Sequence, residues 1–232
     1  MITKRLNLAA LFSGGKDSTY SIYKAKLNGF KVKCLITIHP KSDESYLFHY
    51  PNIWISKFYS EILDIPLIDL KVNSNDLSDE IISLDDAIKI AKEKYQIDGI
   101  IHGGISSNFQ LRHFKKICSL YEIKIYSPLW HVNEYDYMKE LINIFRIKIV
   151  SVSAMGLDYR WLGKCIDKHN FALLSELSKK YKFNIAFEGG EAETLVIDCP
   201  LFKKRLEILD SKTTWDGQRG MFEILEVSLK PK

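Results

Sequence analysis

The chain has 232 residues, 46% hydrophobic and 27% charged, with a formal net charge of +4. These values suit a soluble globular protein of one domain or two small ones. The mild charge permits an acidic protein or RNA partner without requiring one, and no apolar run nears the roughly 20 residues of a membrane span. The N-terminal residues carry no long apolar signal core, so a cytoplasmic protein is expected.

The first element is an apolar run over residues 6–12, which reads as a buried parallel strand. It stops at Ser13-Gly14-Gly15-Lys16-Asp17-Ser18, and a helix is expected over residues 17–28, ended by Gly29. Paired glycines let the backbone turn through positive φ and come close to a ligand. N–H groups gathered at a helix N-terminus suit phosphate. Ser13 and Ser18 add hydroxyls, and Lys16 adds charge. Asp17 repels phosphate unless a metal lies between, which points to Mg²⁺. The spacing is not Gly-x-x-x-x-Gly-Lys-Ser/Thr, so this is not a Walker loop. The plainer alternative is a glycine-rich turn with a Ser or Asp cap.

Further strands are expected over residues 32–38 and 66–72, with a helix over 52–63 between them. Leu77, Ile81, Leu84, Ile88, Ala91 and Tyr95 then recur at helical steps, with Asn75 or Asp76 as cap. Ile100 and Ile101 lie in a strand ending at His102-Gly103-Gly104. A helix over 107–120 and a short strand over 124–126 follow. This βαβα order requires a parallel sheet with helices on both faces, and ligands bind at the carboxyl ends of its strands.

After residue 126 the pattern becomes α+β. Met138, Leu141, Ile142 and Phe145 stripe a helix that Asn133 caps. Strands are expected over 147–152, 186–187, 195–197, 206–212 and 221–229, with a helix over 171–180. The division is therefore residues 1–126 and residues 127–232.

The second unusual stretch is Glu188-Gly189-Gly190-Glu191-Ala192-Glu193-Thr194. Its crowded carboxylates repel one another unless a cation or ordered donors offset them. On spacing alone an acidic hairpin turn is as good a reading as a site. Cys34, Cys118, Cys165 and Cys199 form no Cys-x-x-Cys pair and read as reduced thiols, mostly buried. His39, His102, His131 and His169 lack metal spacing and read as surface or core-edge residues. The clusters at 112–116, 179–182 and 203–205 read as solvated basic faces rather than a nucleic-acid patch.

Ser13-Gly14-Gly15-Lys16-Asp17-Ser18 resembles the PP-loop of ATP pyrophosphatases at every fixed position. Together with Glu188 to Thr194 it makes the chain similar to the diphthine–ammonia ligase family. Further matching segments are His49-Tyr50-Pro51-Asn52, Gly103-Gly104-Ile105, Phe109-Gln110, Pro128-Leu129-Trp130, Gly156-Leu157-Asp158 and Trp161-Leu162-Gly163-Lys164. The short length resembles the archaeal type, the eukaryotic form carrying extra C-terminal domains. The family's basic residues after Phe109-Gln110 are here Leu111 and His113, so that helix is either a ligand contact or only an exposed basic face.

The resemblance implies an adenine nucleotide α-hydrolase-like (HUP) parallel-sheet domain followed by a smaller α+β domain for the acceptor. It implies ATP and Mg²⁺, with Ser13, Gly14, Gly15, Lys16, Asp17 and Ser18 on pyrophosphate and Asp17 on the metal. Strand two, from Thr37 to His39, is expected to offer backbone groups to adenine. Glu188, Gly189, Gly190, Glu191, Glu193 and Thr194 are expected at the acceptor, with Lys16, Asp17, Glu191 and Glu193 in the chemistry. The implied acceptor is diphthine on translation elongation factor 2, with ammonium as nitrogen donor and no membrane or direct nucleic-acid partner. Its quaternary ammonium would suit an aromatic face such as Trp130 or Trp161. Oligomeric state, a homo-oligomer included, stays open. The alternatives are a PP-loop adenylating enzyme acting on tRNA and a non-catalytic ATP-binding regulatory module.

Overall fold

The computed structural model describes residues 5–42, 45–48 and 52–232. The chain divides into two units, Met1–Trp130 and His131–Lys232. In the first, β1 (Asn7–Leu11), β2 (Lys31–His39), β3 (Leu67–Lys71), β4 (Gly99–Ile101) and β5 (Lys124–Tyr126) form one sheet. Its order is β3-β2-β1-β4-β5, and every pairing is parallel. Parallel neighbours need crossovers, here α1 (Lys16–Leu27), α2 (Ser56–Leu63), α3 (Leu77–Tyr95) and α4 (Asn108–Leu120). A 3₁₀ turn, Ile53–Ile55, leads into α2. Strand order reverses between β1 and β4, and the loops that leave their carboxyl ends line the crevice that doubly wound sheets use for ligands.

The helical stripe on α3 is the expected one. Leu84, Ala87, Ile88 and Ala91 are buried against Ala9, Cys34, Ile36 and Ile100 of the sheet. Asp76 is the N-cap position, and Gln96 ends the helix in the left-handed region at φ 51°. Glu80 breaks the simple pattern, because it sits on α3 yet is 1% exposed. Its two carboxylate oxygens accept the backbone N–H groups of Tyr46 (3.0 Å) and Leu47 (2.7 Å). The side-chain amide of Gln110 on α4 donates to the Leu47 carbonyl at 3.3 Å. Loop backbone without a strand partner is thus satisfied by side chains.

The second unit holds α5 (Glu134–Ile144), β6 (Arg146–Val152), α6 (Lys168–Tyr181), β7 (Ala192–Asp198), β8 (Lys204–Trp215) and β9 (Gly220–Pro231). Its sheet is antiparallel, in the order β7-β6-β9-β8. Asn133 caps α5 by accepting the Asp136 N–H at 3.0 Å, as its side-chain type requires. Asp167 accepts the Asn170 N–H at 2.7 Å and starts α6 three residues earlier than its apolar stripe suggests.

One expected strand is absent. Residues 186–187 lie in a turn, because the Asn184 side chain accepts the Ala186 N–H at 2.8 Å and Phe187 adopts φ 63°. An asparagine that bonds backbone two residues on makes an Asx-turn, which outcompetes a two-residue strand. No described helix is long and apolar enough to cross a membrane.

Replacing Glu80 by Ala leaves two loop N–H groups without their acceptor. We expect a loss of about 1–3 kcal/mol in urea unfolding, with faster amide exchange at Tyr46 and Leu47.

Candidate active site

The turn after β1 has the form that its glycines suggest. Gly14 takes φ 77°, and Gly15 is extended at the N-cap position of α1. The hydroxyls are already used within the turn. Ser13 Oγ accepts the Gly15 N–H and lies 3.3 Å from Ser18 Oγ, which in turn accepts the Ser13 N–H at 3.3 Å. These long internal bonds are weak, so a phosphate can replace them at little cost. The first turn of α1 adds its own N–H groups and its dipole.

Lys16 is 2% exposed and donates to Asp17 Oδ2 at 2.7 Å. Within this ion pair the Asp17 side chain keeps 28% exposure and Lys16 only 3%. The carboxylate is therefore the member that a ligand or ion can reach. Among the described residues no three His, Cys, Asp or Glu side chains cluster as a metal site. A divalent ion at Asp17 would take one protein carboxylate and complete its shell from phosphate and water, which is the habit of Mg²⁺.

The loop after β4 closes the other side of the crevice. A Cβ on Gly103 would lie 3.0 Å from the Ser18 nitrogen and 3.1 Å from the Asp17 carbonyl carbon. Only glycine lets this loop lie directly against the start of α1. The sequence displayed the signal, a second Gly-Gly at a strand end, without assigning it a role. Beside it, His102 is 3% exposed rather than at the surface or core edge. It stacks edge-on against Phe114 at 5.0 Å and pairs with Ser127 Oγ at 3.4 Å. Burial pushes its ring down to about 4, opposed by a hydrogen bond to the Gln110 side chain that favours the protonated ring.

Thr37 and His39 are both partly committed. Thr37 Oγ1 donates to the Phe12 carbonyl at 2.8 Å, and the His39 ring pairs with Asp69 on β3. Their backbone pairs with β3, and the His39 carbonyl accepts the Val72 N–H at 2.9 Å. β2 runs to His39, past its last pairing with β1 at Ile36. On α4, Leu111 is buried, which removes it from ligand contact, and His113 packs against Phe109 at 4.7 Å. The first three residues of the matching segment His49-Tyr50-Pro51-Asn52 lie outside the described residues.

In the second unit the acidic stretch is an ordered turn rather than a hairpin. It runs from Asn184 into β7, which pairs with β6. Gly190 takes φ 79°, and its carbonyl accepts from Ser153 Oγ at 2.7 Å. Glu191 accepts two backbone N–H groups, from Asn184 at 2.9 Å and from Gly189 at 2.8 Å. These are the ordered donors that offset its charge. Glu188, Glu191 and Glu193 are all half-buried, Thr194 is buried, and Glu193 stands opposite Ser151 in the β6–β7 ladder.

Ser153 also begins the wall of an open cleft of about 1020 Å³ within this unit. Trp161, Tyr181 and Trp215 line it, with the Asp158–Arg160 pair, Lys164 and Lys180. Lys164 Nζ lies 5.2 Å from the Trp161 ring centre, and Lys180 Nζ lies 5.1 Å from that of Tyr181. The hydrogen bond from Arg160 holds the Asp158 carboxyl below the usual carboxylate range. Two of the matching segments, Gly156-Leu157-Asp158 and Trp161 to Lys164, are thus brought to one place.

The thiols of Cys34, Cys118 and Cys199 are buried, and burial pushes each up to about 12. None of these is poised as a nucleophile.

The His102 ring binds a proton more readily in the unfolded chain than in the fold. Stability is therefore full above about pH 6.5 and falls as pH drops toward 4, by at most about 3 kcal/mol. Chemical denaturation between pH 7 and 4 should show this slope, and His102→Gln should flatten it.

Comparison with known proteins bears on the whole chain. Residues 6–126 match the family model of the diphthamide synthase N-terminal domain, and residues 133–229 match that of its C-terminal domain. The human diphthine–ammonia ligase is 34% identical over 225 residues, which cover 89% of this chain and 84% of the human one. The Saccharomyces cerevisiae diphthine–ammonia ligase is 28% identical, covering 92% of this chain and 36% of the yeast protein. The expected extra length of eukaryotic members thus fits the yeast relative and not the human one. A solved structure described as a predicted subunit of tRNA methyltransferase, from Methanocaldococcus jannaschii, aligns at TM-score 0.44 and 13% identity over 84% of this chain and 98% of its own. On the strength of the two family models and the human relative, this chain belongs to the diphthine–ammonia ligase family.

Proposed function

We propose that this chain joins ammonia to the carboxylate of diphthine on translation elongation factor 2 in the cytoplasm, consuming ATP and releasing AMP and pyrophosphate. The observation that carries the reading is one chain holding both a Ser-Gly-Gly-Lys-Asp-Ser turn at the sheet's switch point and an ordered acidic turn, matched along both units by this family.

The chemistry sets the requirements. A carboxylate oxygen is a poor leaving group, so ammonia cannot displace it. Attack of that oxygen on the α-phosphorus of ATP gives an acyl-adenylate and frees pyrophosphate, and ammonia then displaces AMP. Backbone N–H groups from Gly14 to Asp17 and the hydroxyls of Ser13 and Ser18 hold the β- and γ-phosphates as they leave. Lys16 sits behind Asp17 and tempers its charge. Mg²⁺ bound at Asp17 would neutralise phosphate charge as it develops. The backbone of Thr37 to His39, past the end of β1 pairing, suits the adenine.

The second unit is the acceptor side in this reading. Ser153, which lines the aromatic cleft, donates through its hydroxyl to the Gly190 carbonyl of the turn from Glu188 to Thr194. The carboxylates suit an ammonium or a proton taken from it. The buried thiols fit ammonia drawn from solution rather than from a cysteine-dependent glutaminase.

Turnover should yield AMP and pyrophosphate, and Asp17→Ala should lose pyrophosphate release. ADP and phosphate as products would sink the assignment. Mass spectrometry of the modified histidine should show a loss of about one mass unit as OH becomes NH₂. Glu193→Gln should leave ATP affinity by calorimetry unchanged and lower amide formation by about 10² or more. ATP cleavage stimulated by tRNA, with diphthine untouched, would overturn the reading.

A further inference from the structure

The acidic turn is organised by one of its carboxylates. Both oxygens of Glu191 are engaged by backbone: Oε1 accepts the N–H of Asn184 at 2.9 Å, and Oε2 that of Gly189 at 2.8 Å. The side chain thus ties Asn184 to Gly189, closing the turn between them like a strut. Glu191 is itself fixed, because its carbonyl accepts the N–H groups of Ser153 and Ala154 at 2.9 and 3.3 Å. Asn184 is fixed too, through its amide on the Glu134 carboxylate at 2.8 Å.

The packing fits the same purpose. A Cβ on Gly189 would lie 2.9 Å from Glu191 Oε1 and 3.1 Å from Cδ. The carboxylate fills the space that a side chain at 189 would need. Charge-assisted bonds to two backbone donors are among the stronger ones in a protein. Such a group holds the shape of the turn well.

We infer that Glu191 is a positioning residue: its carboxylate locks the 184–191 turn and so sets the places of Glu188 and Glu193 along it. This differs from the expectation that Glu191 acts in the chemistry, and it rests on the amide-forming reading above only for its activity readouts.

Two variants test it. Glu191→Gln replaces one acceptor by an NH₂ that opposes a backbone donor. Gly189→Ala keeps every carboxylate but pushes the Glu191 side chain out of place. Both should speed amide hydrogen exchange at Asn184 and Gly189, whatever the reaction. Both should lower kcat for amide formation by about tenfold, with ATP affinity and the shape of the pH profile kept. Glu193→Gln should leave the exchange at 184 and 189 slow. The inference is overturned if Glu191→Gln abolishes amide formation and removes a limb of the pH profile while exchange stays slow and Gly189→Ala behaves as wild type. If the wild-type protein forms no amide, the exchange rates still decide the role of Glu191, and only the functional reading falls.

Discussion

The close approach of the Gly103 backbone to the first turn of α1 sets the form of the crevice in the first unit. β1 and β4 are parallel neighbours, so their loops leave the sheet side by side. Two loops in that position compete for one volume. The competition is settled by removing side chains, with Gly14 and Gly15 on one loop and Gly103 and Gly104 on the other. What remains at the carboxyl end is mostly backbone and hydroxyl, with the Asp17 carboxylate at its edge. The buried ring of His102 supports it from below, held by Phe114 and Ser127.

A second device recurs in both units. Where the chain leaves regular structure, a carboxylate takes the stranded N–H groups. Asp98 accepts from Asn7 at the start of β1, Glu80 from Tyr46 and Leu47, and Glu191 from Asn184 and Gly189. Asp158 and Asp167 do the same at helix starts. The acids of this chain therefore do as much to shape loops as to carry charge.

That device explains what the sequence could and could not reveal. The parallel sheet was readable because apolar runs alternate with helical stripes, and the β1 turn because six consecutive residues fit one purpose. Local caps such as Asn133 were readable for the same reason. Glu80 was not, since its partners lie more than thirty residues away in sequence and its helical position looks like an ordinary polar face. For Glu191, spacing shows the crowding of acids but not the backbone donors that relieve it. Residues 186–187 were misread because two apolar residues mimic a strand when the Asx-turn beside them is overlooked. The cleft walls were legible only as scattered aromatic and glycine segments, whose meeting depends on the order β7-β6-β9-β8.

The distribution of the thiols has a practical side. Three are sealed in the interior, so a maleimide reagent meets what is in effect a single-cysteine protein. The fourth, Cys165, is half-buried, bridges to Lys148 on β6, and directly follows Lys164 of the aromatic cleft. A dye attached there, with no engineering of the chain, would sit beside that cleft and register the arrival of whatever occupies it.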